Sequence, residues 1–193
     1  MTPKLGYRTV GETGGGAMAA TKPDISYKVE VKVDASPEAI YSVLSDPNKS
    51  MEWSGKKAPM IFRLRDLQAP AGPLTTGQSW TSHGVVGYYK FEDRSTVVNA
   101  EPGRAFGFDT DSNVPRKIRS APWKGHFENR YTIRPDGNGS IITYTCDGFT
   151  VDYTSFMWWP AFKPMTRAMY TMMIKGTIKK LGRQAAETNA RAA

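Results

Sequence analysis

The chain is poor in metal- and redox-competent side chains: 193 residues contain one cysteine, Cys146, and two histidines, His83 and His126. One thiol cannot make an internal disulfide, and with two separated histidines it does not complete a usual zinc ligand set. A reducing, cytoplasmic protein without structural metal is therefore expected. No apolar run reaches the 18 residues needed to span a bilayer, and the N-terminus lacks the basic start and apolar core of a secretory signal. The Asn-x-Ser sequons at Asn48 and Asn138 accordingly carry no weight as glycosylation sites. Nucleophile elbow, His-Glu-x-x-His, dinucleotide-binding and Walker patterns are all missing, so no cofactor is expected.

The length suits one domain with a hydrophobic core of its own. The formal net charge of +8 is unevenly spread, because residues from Lys163 onward hold seven Lys/Arg against one acid, Glu187. That concentration describes a basic helix face, read either as a solvated surface or as a contact for an anionic partner. Nucleic acid is not the expected partner, and the oligomeric state is left open.

Residues 1–23 are Gly-, Thr- and Ala-rich without periodicity and are expected to form a flexible tail; "GGG" there is not preceded by a strand or followed by Lys-Ser/Thr. "ISYKVEVKV" alternates Tyr27, Val29, Val31 and Val33 against Lys28, Glu30 and Lys32, the period of a half-buried strand. "DASPEAIYSVLSD" follows as a helix with Ser36 as N-cap, Pro37 in its first position and Ala39, Ile40, Val43 and Leu44 on the buried face. A second short helical turn is expected near Asn48–Trp53. Four to six further strands then succeed one another, joined by turns such as "EPGR" and "PDGNG" that are too tight for parallel crossovers.

A long amphipathic helix closes the chain from about Pro164 to Glu187. Tyr170, Ile174, Ile178, Leu181 and Ala185, widened by Met165, Met169 and Met173, oppose Arg167, Thr171, Lys175, Lys179 and Arg183. Gly176, in mid-helix, is expected to leave room for a ligand or a crossing strand. The element order is that of an α+β domain, 24–188, with a disordered end at 189–193. Both apolar faces are buried if the last helix lies across the concave face of an antiparallel sheet.

The first strand, "ASPEAIYSVLSDPNKSMEWSG", "TTGQSW", "STVVNAEPGRAFGF", "YTIRPDGNGSIITY" and the closing helix together resemble the START-like (SRPBCC) superfamily, most closely its polyketide cyclase/dehydrase branch, over roughly residues 25–186. The resemblance implies a helix-grip fold, a curved antiparallel sheet wrapped around the C-terminal helix with an elongated apolar cavity between them. Its members include aromatase/cyclases and lipid carriers, so fold alone does not choose between catalysis and binding.

Strand parity selects the side chains that would line such a cavity. Phe91, Asp93, Ser95 and Val97 share one face, with Lys90, Glu92 and Arg94 on the other. By the same rule Phe127, Asn129, Tyr131 and Ile133 point inward and His126 outward, while Trp80 and Ser82 lie opposite His83. Phe106, Phe108, Ile142, Tyr144 and Cys146 also fall inward. Expected ligand contacts are Trp80, Phe91, Asp93, Phe106, Phe108, Phe127, Asn129, Tyr131, Tyr144, Met169 and Met173, each with core packing as its plain alternative. Asp93, Tyr131 and Tyr144 are the candidates for proton transfer. Trp53, Trp123 and Trp158 are expected at a cavity mouth, and Trp158 and Trp159 with the basic last helix at a membrane surface. The leading expectation is a binding or carrier protein for a hydrophobic small molecule, lipid or polyketide-like; the runner-up is a cyclase, aromatase or dehydratase using acid/base chemistry on a similar ligand.

Overall fold

A computed structural model describes residues 22–55, 62–86, 89–115, 123–149 and 163–192. The alternating segment forms β1 (Ile25–Val33), and the capped helix forms α1 (Pro37–Leu44). The Ser36 side chain accepts from the Ala39 N–H at 3.2 Å, and Pro37 takes the position where its missing N–H is harmless. Ser36→Ala is expected to cost about 1 kcal/mol by thermal unfolding, because one orphan N–H of the first turn loses its acceptor.

After α1 come α2 (Pro47–Ser50), capped by Asp46, and a π-helical turn over Met51–Gly55. Six strands follow: β2 (Phe62–Gln68), β3 (Ser79–Val86), β4 (Tyr89–Glu101), β5 (Ala105–Val114), β6 (Trp123–Asp136) and β7 (Gly139–Phe149). They form an antiparallel meander whose last strand pairs with β1, giving the order β1-β7-β6-β5-β4-β3-β2. The β6–β7 hairpin turns at Gly137, whose φ of 59° explains the Asp-Gly signal there.

The closing helix, α3 (Lys163–Ala192), packs on β1, α1 and the π-turn. It continues through residues 189–192, where the sequence suggests a disordered end. Thr188 Oγ1 still donates to the Gln184 carbonyl at 2.9 Å, and Ala-rich sequence propagates a helix at little cost. Ile178, Leu181 and Ala185 are buried against Val29, Val31, Val33, Ile40, Val43 and Leu44 in the main core. Among the described residues no helix is long and apolar enough to cross a membrane.

Gly182, not Gly176, is where the helix approaches the sheet closely. A Cβ at Gly182 would lie 2.5 Å from Val33 Cγ1, whereas one at Gly176 would meet nothing within 4 Å among the described residues. Among the described residues no strand crosses at Gly176, because its position falls on the exposed side of α3.

Candidate functional site

Cross-strand register stacks the inward side chains into rows. One row runs Tyr27 (β1), Cys146 (β7), Asn129 (β6), Phe108 (β5), Val97 (β4). Beside it, Val29, Tyr144, Tyr131 and Phe106 form a second row, and Phe127, Thr110, Ser95 and Trp80 a third. β1 and β3 to β7 contribute alternate residues to this concave face, as the pleat requires.

The face is apolar but carries a chain of hydrogen bonds across four strands. Tyr144 Oη donates to Asn129 Oδ1 at 2.7 Å, Asn129 Nδ2 donates to Thr110 Oγ1 at 3.4 Å, and Thr110 and Ser95 hydroxyls lie 2.9 Å apart. Aromatic rings flank the chain: Tyr131 and Tyr144 centroids are 4.6 Å apart, Trp80 and Phe108 5.0 Å. Ser95 and Thr110 were not among the expected contacts; their parity was legible, but small hydroxyls inside strands carry no distinguishing signal.

Burial grades along this face. Phe106 is sealed between Tyr41 of α1 and Phe108, so it belongs to the core end. Phe108, Phe127, Asp93 and Cys146 are only half-buried, as are Met169, Tyr170, Met173 and Ile174 on the N-terminal half of α3. These half-buried groups mark the side at which the interior is not closed by the main core. Phe91 packs separately with Leu64 and Val114, its ring lying over Gly84, so it fills a second apolar cluster.

Asp93 pairs across strands with Ser82 on β3 and Ser112 on β5, and Ser112 Oγ donates to its carboxylate at 2.5 Å. Burial pushes the Asp93 carboxyl up to about 6, more than the Ser112 hydrogen bond lowers it. Burial likewise raises the Tyr131 and Tyr144 hydroxyls well above the ordinary phenol range and the Cys146 thiol up to about 11. Cys146 is therefore a neutral thiol rather than a nucleophile. Of the three proton-transfer candidates, Asp93 alone is poised near neutrality.

The three do not converge. Ser112, opposite Asp93, pairs with Gly125, which lies six residues along β6 from Tyr131, about 20 Å at the strand rise. Tyr131 and Tyr144 are neighbours, and Asp93 stands apart from them near the other end of the face.

Trp53 is not at an open mouth. It is buried in the main core, and with Glu52, Lys180, Arg183 and Gln184 it lines a cleft of about 200 Å³ between the π-turn and α3. The π-turn rotates this side chain onto the helix, which a local reading of "SMEWSG" does not reveal. The side chain of Trp123, and Trp158 and Trp159 entirely, lie outside the described residues. Both histidines face outward, His126 Nδ1 lying 2.8 Å from Asp111. Among the described residues no group of three His, Cys, Asp or Glu could hold a metal ion.

A hollow of about 1110 Å³ does not touch the sheet among the described residues. It follows the exposed stripe of α3 past Arg167, Met172, Lys175 and Lys179. Its cationic lining and the 70 % exposure of Met172 describe a surface groove, so the concave face remains the better candidate site.

Curved antiparallel sheet, closing helix and an inward face that is apolar with a few ordered polar groups define a helix-grip domain. The chain belongs to the polyketide cyclase/dehydrase and lipid transport family, whose sequence model matches residues 24–186. No curated protein sequence matches it. Among solved structures it is similar to a conserved protein from Geobacillus kaustophilus, at 14% identity and TM-score 0.61 over 85% of this chain and 97% of that one. The Mll3558 protein from Rhizobium loti is similar at 14% identity and TM-score 0.58, over 83% and 96% of the two chains. A protein from Thermus thermophilus, TTHA0849, is similar at 13% identity and TM-score 0.54, over 85% and 99%. At these identities the likeness concerns fold alone.

Proposed function

We propose that this protein binds and carries a hydrophobic small molecule, lipid or polyketide-like, against the concave sheet face beneath the N-terminal half of α3. The observation that carries the reading is the hydrogen-bonded chain Tyr144–Asn129–Thr110–Ser95 set into an otherwise aromatic and aliphatic face. Binding sites for apolar molecules combine such a lining with a few placed polar groups. Asp93, Phe108, Phe127, Asn129, Tyr131, Tyr144, Met169 and Met173 are the contacts this reading retains; Phe106 serves the core end. The exposed stripe of Arg167, Lys175 and Lys179 would hold the protein at an anionic bilayer during loading, at about 1 kcal/mol per cation near the surface.

Native mass spectrometry of the purified protein, followed by organic extraction, tests the proposal. A co-purifying lipid or polyketide is expected. A protein that arrives empty and binds nothing from a fatty-acid and polyketide panel would overturn it in favour of an interaction module acting through the basic stripe.

A second reading, a cyclase or dehydratase, is favoured by the placement of the Asp93 carboxyl between Ser82 and Ser112, where burial pushes it up to about 6. In that case Asp93 acts alone as acid or base on a positioned chain, since Tyr131 and Tyr144 are out of its reach. Product formation that is lost in Asp93→Asn, while ligand uptake persists, would select this reading.

A further inference from the structure

Among the described residues Asp93 is the one charged side chain on the concave face of β1 and β3 to β7. Register sets it in a row of small groups, with Ser82 beside it on β3, Ser112 on β5 and Gly125 beyond that on β6. Trp80 and Phe127 stand in the next row on one side and Phe91 on the other, so the row is shallower than its aromatic flanks. Two oxygens in it are uncommitted. The Asp93 carboxylate accepts one hydrogen bond among the described residues, from Ser112 Oγ at 2.5 Å, and the side chain of Ser82, 7% exposed, makes none. Buried hydroxyls are nearly always paired, and a carboxylate in apolar surroundings needs a counter-charge or a proton. The protein supplies no counter-charge on this face. His83, Glu92, Arg94 and Asp111, its charged neighbours along and across the strands, lie on the outer face, and the cations of α3 follow its exposed stripe.

We infer that Asp93 and Ser82 receive the protonated amine of an otherwise apolar ligand, the ammonium donating to the free carboxylate oxygen and to Ser82 Oγ. The inference rests on the carrier reading and adds the chemistry of one end of the ligand. An ammonium has three donors and no acceptor, which suits two acceptor oxygens side by side. Charge-assisted hydrogen bonds are the stronger ones, so an amine is preferred over an alcohol, while like charge disfavours a carboxylate. From this end the half-buried Phe127 and Phe108 continue along the same face and would take the apolar part.

The test is displacement of Nile red from the full chain by decylamine, decanol and decanoate at pH 7.5, where Asp93, titrating at about 6, is ionised and the amine protonated. Wild type is expected to prefer the amine to the alcohol, although its net charge of +8 repels cations at long range. Asp93→Asn should cut that affinity ratio about tenfold or more, the scale of a hydrogen bond to a charged group. It should also raise the decanoate-to-decanol ratio, a gain that misfolding does not produce. Ser82→Ala should weaken decylamine by a smaller factor. Asp111→Asn removes the same charge from the outer face and should leave both ratios as in wild type. An unchanged amine-to-alcohol ratio in Asp93→Asn, or an equal fall in Asp111→Asn, would overturn the inference. Wild type that prefers the alcohol, or takes up all three equally, would overturn it while the carrier reading stands. Failure of wild type to bind Nile red or any of the three would overturn the carrier reading, and this inference with it.

Discussion

Asp93→Asn is expected to be more stable than wild type at pH 7.5, by about 1–3 kcal/mol, and to lose that advantage by pH 4. The carboxyl titrates at about 6 in the folded chain against an ordinary value of 3.8. Two units correspond to about 3 kcal/mol, and solvent reaching this half-buried side chain reduces the figure. The direction follows from proton binding. Between those two values the folded chain holds the proton and the unfolded chain has released it, so stability falls as pH rises from about 4 to about 6. Below that window both states are protonated and wild type loses nothing. Asparagine stays neutral throughout and still accepts from Ser112 through its amide oxygen. Denaturant unfolding of both proteins at pH 4, 5.5 and 7.5 measures this. A pH-independent difference, or a variant less stable at pH 7.5, would mean that burial does not govern this carboxyl.

Opposite signs are expected at the two helix glycines. Gly182→Ala should cost about 1–3 kcal/mol, the range for overpacked sites, even though alanine is the better helix former. The new methyl would sit 2.5 and 2.6 Å from Val33 Cγ1 and Cβ. Val33 is β-branched and anchored in β1, so it cannot swing aside as a long side chain would. Gly176→Ala meets no atom of the described residues within 4 Å and should gain up to about 1 kcal/mol from helix propensity alone. Chemical denaturation of the pair decides it, and a stabilised Gly182→Ala would show that α3 packs less closely on β1 than described.

Asp93 sits two positions from Phe91 and two from Ser95, and period-two alternation alone assigns all three to one face. The same rule places Asn129 and Tyr131 inward and His126 outward, and the structure agrees in each case. Hairpin signals such as Asp136-Gly137 were equally readable, since a tight turn depends on a few consecutive residues. Met169 and Met173 were legible as part of the helix's apolar stripe, and Arg167, Lys175 and Lys179 as its polar one.

Other features were not local. Trp53 looks like a loop tryptophan until the π-turn lays it against α3, and Gly176 looks like the spacious glycine until docking selects Gly182 instead. Tyr27 reads as one more inward strand residue; that its hydroxyl lacks a partner among the described residues appears only when β7 brings Cys146 opposite and α3 brings Tyr170 beside it. Strand parity, helix faces, caps and turns were set by the sequence because each depends on the geometry of neighbouring residues. Tertiary structure alone decided that Tyr131 and Tyr144 adjoin while Asp93 stands about 20 Å along the strand from them. Lateral register and helix docking join residues far apart in the chain, and no local periodicity encodes which of them meet.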